Sequence, residues 1–187
     1  MDVLVYWPYA LAYVVAMLLH ELGHWMAAAW YGVRVNRVFL FFDANDVALC
    51  RWKLGFTTFG IGWLPLGSYA EIAGVERMRS GVASWLFAPL PWELQARSPF
   101  AQAVIVLAGV LVNLMTAVLV HFAGPEWAQP LAVVSFVNVL LQLLPAGPTD
   151  GWMLFEVLMP RSMWKGTYRF LLGMAVVYAA MLSYLSF

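Results

Sequence analysis

Long hydrophobic runs alternate along this chain with stretches in which polar and hydrophobic positions are mixed. The apolar runs cover about residues 3–30, 100–122, 131–158 and 168–187. Each approaches the ~20 residues that a helix needs to cross about 30 Å of hydrocarbon. The third run is broken at residues 145–150 by "PAGPTD", because proline cannot continue a helix. The pattern therefore predicts about four transmembrane helices, the third of them broken.

The region between the first two runs, residues 33–99, has a different pattern. Aromatic and β-branched residues are interrupted there by the turn-like segments "DAND" and "GFTT". In "CRWKLGFTTFGIGW", Trp52 and Leu54 can share one face of a strand while Arg51 and Lys53 point away. This alternation fits a membrane-associated β-hairpin, and it equally fits a plain amphipathic surface loop. The fold class predicted is an all-α polytopic membrane protein with this β-hairpin region between its first and second helices, as one domain over residues 1–187.

Composition supports a protein that lies in a lipid bilayer. The chain is 64% hydrophobic and 11% charged, whereas about a quarter of the residues of a soluble domain are charged. A net charge of zero argues against a nucleic-acid partner, which would require a basic surface. Cys50 is the single cysteine, which excludes an internal disulfide and a thiolate zinc site.

The basic residues predict an orientation in the membrane. They fall only between the first and second runs and between the third and fourth runs. These residues are Arg34, Arg37, Arg51, Lys53, Arg77, Arg79 and Arg97, followed by Arg161, Lys165 and Arg169. With four spans, both loops would lie on one side, and the positive-inside rule makes that side cytoplasmic. Both termini are then expected to be extracytoplasmic.

The segment "LLHELGHWMAAAW", residues 18–30, places ionisable groups inside the first apolar run. His20 and His24 are four residues apart, so both imidazoles can reach one ion from the same helix face. Glu21 lies beside them, where it can act as general base, and zinc suits this type of donor set. HExxH also occurs by chance in unrelated proteins. Ionisable residues inside a membrane helix are costly, however, so a functional site is the default interpretation there.

A zinc site of this kind needs a third protein ligand, and two acids are candidates. Asp150 follows the broken segment of the third run, whereas Glu156 lies one to two turns further along. At about 1.5 Å per helical residue, His20 lies about 26 Å from residue 3, and Asp150 lies about 29 Å from residue 131. The two residues would therefore reach a similar depth. We expect Asp150 to be the ligand and Glu156 to be a solvated residue near a helix end.

Four motifs together resemble the site-2 proteases, a family of intramembrane zinc metalloproteases. They are "HELGH", "WLPLGSYAEIAG", "LAGVLVNLMTA" and "LLPAGPTDG", which occur in the expected order along nearly the whole chain. The resemblance implies one Zn2+ per chain, with His20, His24 and Asp150 as ligands. It implies that Glu21 is the catalytic base and that Asn113 lies near the bound substrate.

The likeness is greatest to the bacterial branch of that family, which sets further expectations. It implies hydrolysis of peptide bonds within or near the transmembrane segments of single-span substrates. It also implies a β-element that dips toward the site, where an exposed strand edge could hold an unwound substrate by strand addition. The expected location is the bacterial inner membrane, with the active site toward the cytoplasm. The sequence does not indicate an oligomeric state.

Three positions depart from the family pattern. Gly67, Ser68 and Tyr69 stand where relatives often have "GGY", and we include these three among the candidate substrate-binding residues. Gln142 replaces a usual asparagine, and Trp152 replaces a usual glycine. Many bacterial relatives also carry a PDZ domain between the second and third spans, where this chain has only residues 123–130.

The sequence is also compatible with two functions from other classes. A non-catalytic membrane scaffold could bind transmembrane helices without cutting them, although it would not require Glu21. A metal-handling or transport protein would distribute acids and histidines along a path, whereas this chain concentrates them at one depth. Zinc stoichiometry, measured together with cleavage of a model transmembrane peptide, separates these alternatives.

Overall fold

The computed structural model describes residues 6–75, 88–144 and 149–159, which form four helices and four strands. The helices are α1 (Trp7–Trp30), α2 (Pro99–Ala123), α3 (Gln129–Leu143) and α4 (Asp150–Leu158). The strands are β1 (Val35–Phe42), β2 (Ala48–Leu54), β3 (Thr57–Gly62) and β4 (Leu64–Ile72). Short 3-10 turns occupy Ala44–Asp46, Leu94–Ala96 and Glu126–Ala128.

Helices α1 and α2 pack against each other at close range. The α2 helix starts with proline, and the side chain of Ser98 caps it by accepting a hydrogen bond from the Ala101 amide. Gly23 makes the close approach possible, because a Cβ there would lie 2.9 Å from the Ala108 carbonyl oxygen. Small residues at helix contacts serve this purpose in membrane proteins.

The strands form one mixed sheet in the order β2-β3-β1-β4. β1 lies inside the sheet, where it pairs in parallel with β3 and antiparallel with β4. β2 and β4 are the edge strands. Side chains of the sheet, α1, α2 and the segment before α2 share one hydrophobic core, which contains Ala28, Val33, Val35, Val38, Phe59, Ile72, Leu94, Ile105 and Val106. This core fixes the sheet against the end of α1 that carries the histidines.

The prediction of an all-α protein with about four transmembrane helices is wrong. Residues 35–72 form a four-stranded mixed sheet, of which the expected hairpin, β2–β3, is only one part. Local alternation cannot reveal the parallel pairing of β1 with β3, because that pairing joins strands that are not consecutive. Among the residues that the structure describes, only α1 and α2 are long and apolar enough to cross a membrane.

Residues 131–158, for which the sequence predicts a span broken at residues 145–150, do not form one long helix. They are divided between α3, which ends at Leu143, and α4, which starts at Asp150. Neither helix has the length of a membrane span. The fourth predicted span, residues 168–187, lies outside the described residues.

Candidate metal centre

Two histidines of α1 and an aspartate more than a hundred residues later meet at one point between α1 and α4. His20 and His24 lie on α1, and Asp150 is the first residue of α4. The Nε2 atoms of the two histidines are 3.1 Å apart, and Asp150 Oδ2 lies 3.1 Å from each of them. These three atoms, each of which could bind a metal ion, therefore form an almost equilateral triangle.

This triangle fits a tetrahedral zinc ion. Ligand atoms about 2.0–2.1 Å from zinc in that geometry lie about 3.3–3.4 Å from one another. All three residues are buried, with exposed fractions of 1% for His20, 4% for His24 and 8% for Asp150. Two imidazoles and one carboxylate are also a donor set found in catalytic zinc sites, which leave the fourth position open.

The second nitrogen of His24 orients its ring toward this cluster. Nδ1–H donates a hydrogen bond of 2.9 Å to the carbonyl oxygen of Ile105 on α2. This bond fixes the tautomer in which Nε2 carries the free electron pair that a metal requires. Helix α2 thereby positions a ligand without contributing one.

Asn113 lies behind His20, and it is not among the described residues that line the cavity beside the histidines. Its amide nitrogen is 3.5 Å from His20 Nδ1, and its side chain is fully buried. Asn113 Oδ1 has no hydrogen-bond partner in the described part of the chain. A half-turn of the amide would bring Oδ1 to Nδ1–H and satisfy both groups. This position favours orientation of His20, while the predicted substrate contact of Asn113 stays a prediction.

Glu21 lies on α1 beside the histidines, and its side chain is hydrogen-bonded to the sheet. The Ser68 hydroxyl on β4 donates a hydrogen bond of 2.6 Å to Glu21 Oε1. Glu21 is buried, with an exposed fraction of 4%. The Glu21 carboxylate is therefore fixed in orientation next to the candidate metal ligands His20, His24 and Asp150.

A cavity of about 350 Å3 connects these groups with the edge strand β4. On β4, the Gly67 amide donates a hydrogen bond of 2.9 Å to the Tyr13 hydroxyl on α1. Gly67 itself is not among the described lining residues, whereas the two following residues are. The cavity is lined by His20, Glu21, His24, Phe42, Ser68, Tyr69, Ala70, Glu71, Ile72, Val75, Gln142, Asp150 and Met153.

Tyr69 is anchored on the cavity wall as a neutral phenol. Its hydroxyl donates a hydrogen bond of 2.6 Å to Asp43 Oδ1, and its ring stacks on Phe39 and Phe42. Burial, followed by the hydrogen bond to Asp43, raises the pKa of Tyr69 to about 12. The Tyr69 hydroxyl is therefore protonated at neutral pH, and its proton is already donated in the hydrogen bond to Asp43.

Glu156, the other candidate ligand, does not belong to the three-residue cluster. Its Oε1 accepts a hydrogen bond of 2.7 Å from Trp152 Nε1, one turn earlier on α4. The residue is buried, so the expectation of a solvated acid at a helix end is also wrong. Trp152, one of the departures from the family pattern, supplies this contact.

Gly109 on α2 is a site residue that the sequence reasoning missed. A Cβ at this position would lie 2.8 Å from His20 Cε1 and closer still to His24 Nε2. The helix can pass the two imidazoles only because the residue has no side chain. The signal was present in "LAGVLVN", since a glycine inside an apolar helix often marks a close approach.

Comparison of the sequence with known proteins assigns this chain to a family. Residues 8–129 match the description peptidase family M50. The chain belongs to peptidase family M50. The predicted membership of the site-2 proteases is thereby confirmed. This family is membrane-embedded, and the two long apolar helices α1 and α2 are consistent with that property.

Similar bacterial proteins carry metalloprotease names. A protein of Chlamydia trachomatis named "Putative zinc metalloprotease" is 31% identical over 143 residues, which are 71% of this chain and 23% of that protein. Zinc metalloprotease Rip1 of Mycolicibacterium smegmatis is 29% identical over 126 residues, which are 65% of this chain and 30% of that protein. The chain thus spans about a quarter of the length of the M50 relatives that it matches.

The family match and the geometry support different ligands. The matched residues 8–129 include His20, Glu21 and His24 but end before Asp150. The place of Asp150 in the centre therefore depends on its distance to the two imidazoles.

In this M50 chain the connection between α2 and α3 is the short segment 124–128, so no PDZ domain is inserted there.

Proposed function

We propose that this protein is a zinc-dependent intramembrane endopeptidase that hydrolyses peptide bonds within or near the transmembrane segments of single-span substrates. One observation carries the proposal. The buried triangle of His20, His24 and Asp150 shares a single cavity with the carboxylate of Glu21. A site that only bound helices or only stored metal would not need a general base held beside the ligands.

The residues of the chain divide the chemistry between them. His20, His24 and Asp150 would hold one Zn2+, which supplies the Lewis acidity that polarises a peptide carbonyl. Glu21 takes the proton from the attacking water and delivers it to the leaving amine. Ser68 holds Oε1 of Glu21, which keeps the carboxylate in one orientation through both proton transfers. The buried surroundings strengthen each of these electrostatic contacts.

The sheet supports the proposed mode of substrate binding. A helical substrate hides its peptide carbonyls, so the segment to be cut must be held in an extended form. β4 is an edge strand that pairs with β1 on one side, and its residues 68–72 line the cavity. An extended substrate segment could add to the other side of β4 through main-chain hydrogen bonds. Such bonds hold many sequences equally, which suits a protease with several single-span substrates.

The charge distribution supports an orientation in the bacterial inner membrane, with α1 and α2 crossing the bilayer. The described basic residues all lie between these two helices, at the end where α1 stops and α2 starts; they are Arg34, Arg37, Arg51, Lys53 and Arg97. The positive-inside rule assigns this end to the cytoplasm and the start of α1 to the opposite side. His20 and His24 lie in the half of α1 nearer the sheet, so the catalytic cavity would open toward the cytoplasm.

The test combines zinc content with cleavage of a single-span model substrate in proteoliposomes. Glu21→Gln should retain zinc and lose cleavage, because it removes the base and keeps the ligands. Asp150→Ala should lose both zinc and cleavage. Glu126→Gln, the same carboxylate-to-amide change at an exposed residue between α2 and α3, is the control.

Three outcomes decide between the functions. Full activity of Glu21→Gln would refute its role as base. Wild-type protein that binds zinc stoichiometrically and cuts no transmembrane substrate would favour the non-catalytic scaffold. Zinc that crosses the membrane in wild-type proteoliposomes would favour transport.

A further inference from the structure

A second cavity, of about 570 Å3, lies where the sheet meets the end of α1 and the segment before α2. It is bordered by the last turns of α1, the β2–β3 turn and the segment that precedes α2. Among the described residues, it shares no lining residue with the cavity at the metal centre. Its lining is Trp25, Ala29, Gly32, Val33, Arg34, Val35, Leu54, Phe56, Thr57, Pro91, Trp92 and Arg97.

Arg34 presents a fixed positive charge to this second cavity. Its guanidinium carbon lies 4.3 Å from the ring centre of Phe56 and 4.3 Å from that of Trp92. No carboxylate forms an ion pair with Arg34 within residues 6–75, 88–144 and 149–159. Rings stacked on a guanidinium orient its plane and leave the in-plane N–H donors available to an anion.

Arg97 contributes a second cation and an unused donor. One terminal nitrogen donates to the carbonyl oxygens of Gly32 at 2.9 Å and of Pro91 at 2.8 Å. Its Nε is buried and has no acceptor among the described residues. The described lining of the cavity contains no Asp or Glu that would neutralise the two arginines.

The position of the cavity relates it to the membrane surface. Arg97 joins the end of α1 to the start of α2 through Gly32, so the cavity lies where both long helices end on the same side. α1 has 24 residues, which is about 36 Å of helix against about 30 Å of hydrocarbon. The helix ends therefore reach the headgroup region. At the cavity rim, Leu54 is 59% exposed and Phe56 is 73% exposed.

We propose that this cavity binds the phosphate of an anionic phospholipid headgroup, held by Arg34 and Arg97. Charge-assisted hydrogen bonds from arginine suit phosphate oxygens, and the exposed apolar rim favours a ligand that carries acyl chains. A soluble phosphate would gain nothing from Leu54 and Phe56. The inference goes beyond the hydrolytic function and requires only that α1 and α2 cross the bilayer.

The test measures lipid binding to the full chain in detergent by native mass spectrometry. Three probes are titrated: phosphatidylglycerol, phosphatidylcholine with matched acyl chains, and inorganic phosphate. Wild-type protein should bind phosphatidylglycerol in preference to both others. Arg34→Ala should weaken that binding about tenfold, because it removes a charged hydrogen-bond donor near the membrane surface.

Two further variants make the result specific. Lys53→Ala removes one positive charge from the adjacent strand β2 without touching the cavity, so binding should stay unchanged. Arg34→Lys keeps the charge but loses the planar donor group, and it should give an intermediate affinity. Thermal unfolding of each variant establishes that the chain is folded before lipid is added.

The proposal fails under any of three results. The first is that both Arg34→Ala and Arg34→Lys bind phosphatidylglycerol as tightly as wild type. Phosphatidylcholine could bind equally well, which would show that the charge of the headgroup is not read. Inorganic phosphate could bind as tightly as the lipid, which would show a soluble-anion site. None of these measurements depends on cleavage, so the proposed protease function can fail independently.

Discussion

At the scale of single residues, the side chain of Ser68 on β4 holds the carboxylate of Glu21 on α1. The hydroxyl donates to Glu21 Oε1 at 2.6 Å and lies 3.3 Å from Met17 Sδ. A glycine could not make this bond. Ser68, which the sequence predicts to be a substrate-binding residue, therefore orients the proposed base.

We expect Ser68→Ala to lower kcat about tenfold while KM changes little, because the lost hydrogen bond is to a charged group. Ser68→Thr retains a hydroxyl and should recover most of the activity. The measurement is a full kinetic analysis with the model substrate. An increase in KM at constant kcat would instead make Ser68 a substrate-binding residue.

Gly109→Ala should abolish stoichiometric zinc binding. Its new Cβ would collide with His24 Nε2 and lie 2.8 Å from His20 Cε1, so at least one ligand must move. Leu111→Ala, on the exposed side of the same helix, is the control for helix stability. Zinc per chain after dialysis decides the matter, and a full complement of zinc in Gly109→Ala would contradict the packing argument.

At the scale of elements, the start of α4 is what delivers Asp150 to the histidines. Thr149 caps the helix by accepting a hydrogen bond of 3.3 Å from the Trp152 amide. Gly151 lies against the last carbonyls of α3, where a Cβ would be 3.0 Å from Leu144 O and closer to Leu143 O. The two helices can therefore approach closely enough for the first residue of α4 to reach the cluster.

Gly151→Ala should shift α4 away from α3 and weaken zinc binding by more than tenfold, although no ligand is altered. The reason is steric, because the collision is with backbone atoms that cannot rotate away. Metal affinity from competition with a chromophoric chelator is the measurement. Thr149→Ser, which keeps the capping oxygen, should leave the affinity unchanged. Equal affinities for Gly151→Ala and wild type would show that α4 is not constrained there.

At the scale of the whole molecule, the metal centre connects the N-terminal helix with α4, which lies more than a hundred residues later. Zinc bound by this centre should therefore stabilise the folded arrangement. At free zinc about 100 times its Kd, the stabilisation is about 2.7 kcal/mol. Removal of zinc with a chelator should lower Tm, and added zinc should restore it.

Asp150→Ala is the matched comparison for that experiment. Its Tm should be low from the start and should not respond to either chelator or zinc. If wild-type Tm does not change when zinc is removed, the centre does not link the helices energetically. Calorimetry in a constant detergent concentration keeps the comparison fair.

Some features of this protein follow from the sequence alone, because they depend on local spacing. The four-residue spacing of His20 and His24 places both imidazoles on one face of any α-helix, and Glu21 must lie beside them. The apolar length of α1 and α2 predicts their capacity to cross a membrane. The four short motifs indicated the family, and the match of residues 8–129 to peptidase family M50 then confirmed it.

Other features were decided only by tertiary structure, because they join residues that no local pattern connects. The parallel pairing of β1 with β3 turned an expected hairpin into a sheet and made the predicted fold class wrong. Packing of α4 against α2 and α3 brought Asp150 Oδ2 within 3.1 Å of both histidines. Spacing along one helix is fixed by covalent geometry, whereas contacts between elements depend on packing of the entire chain.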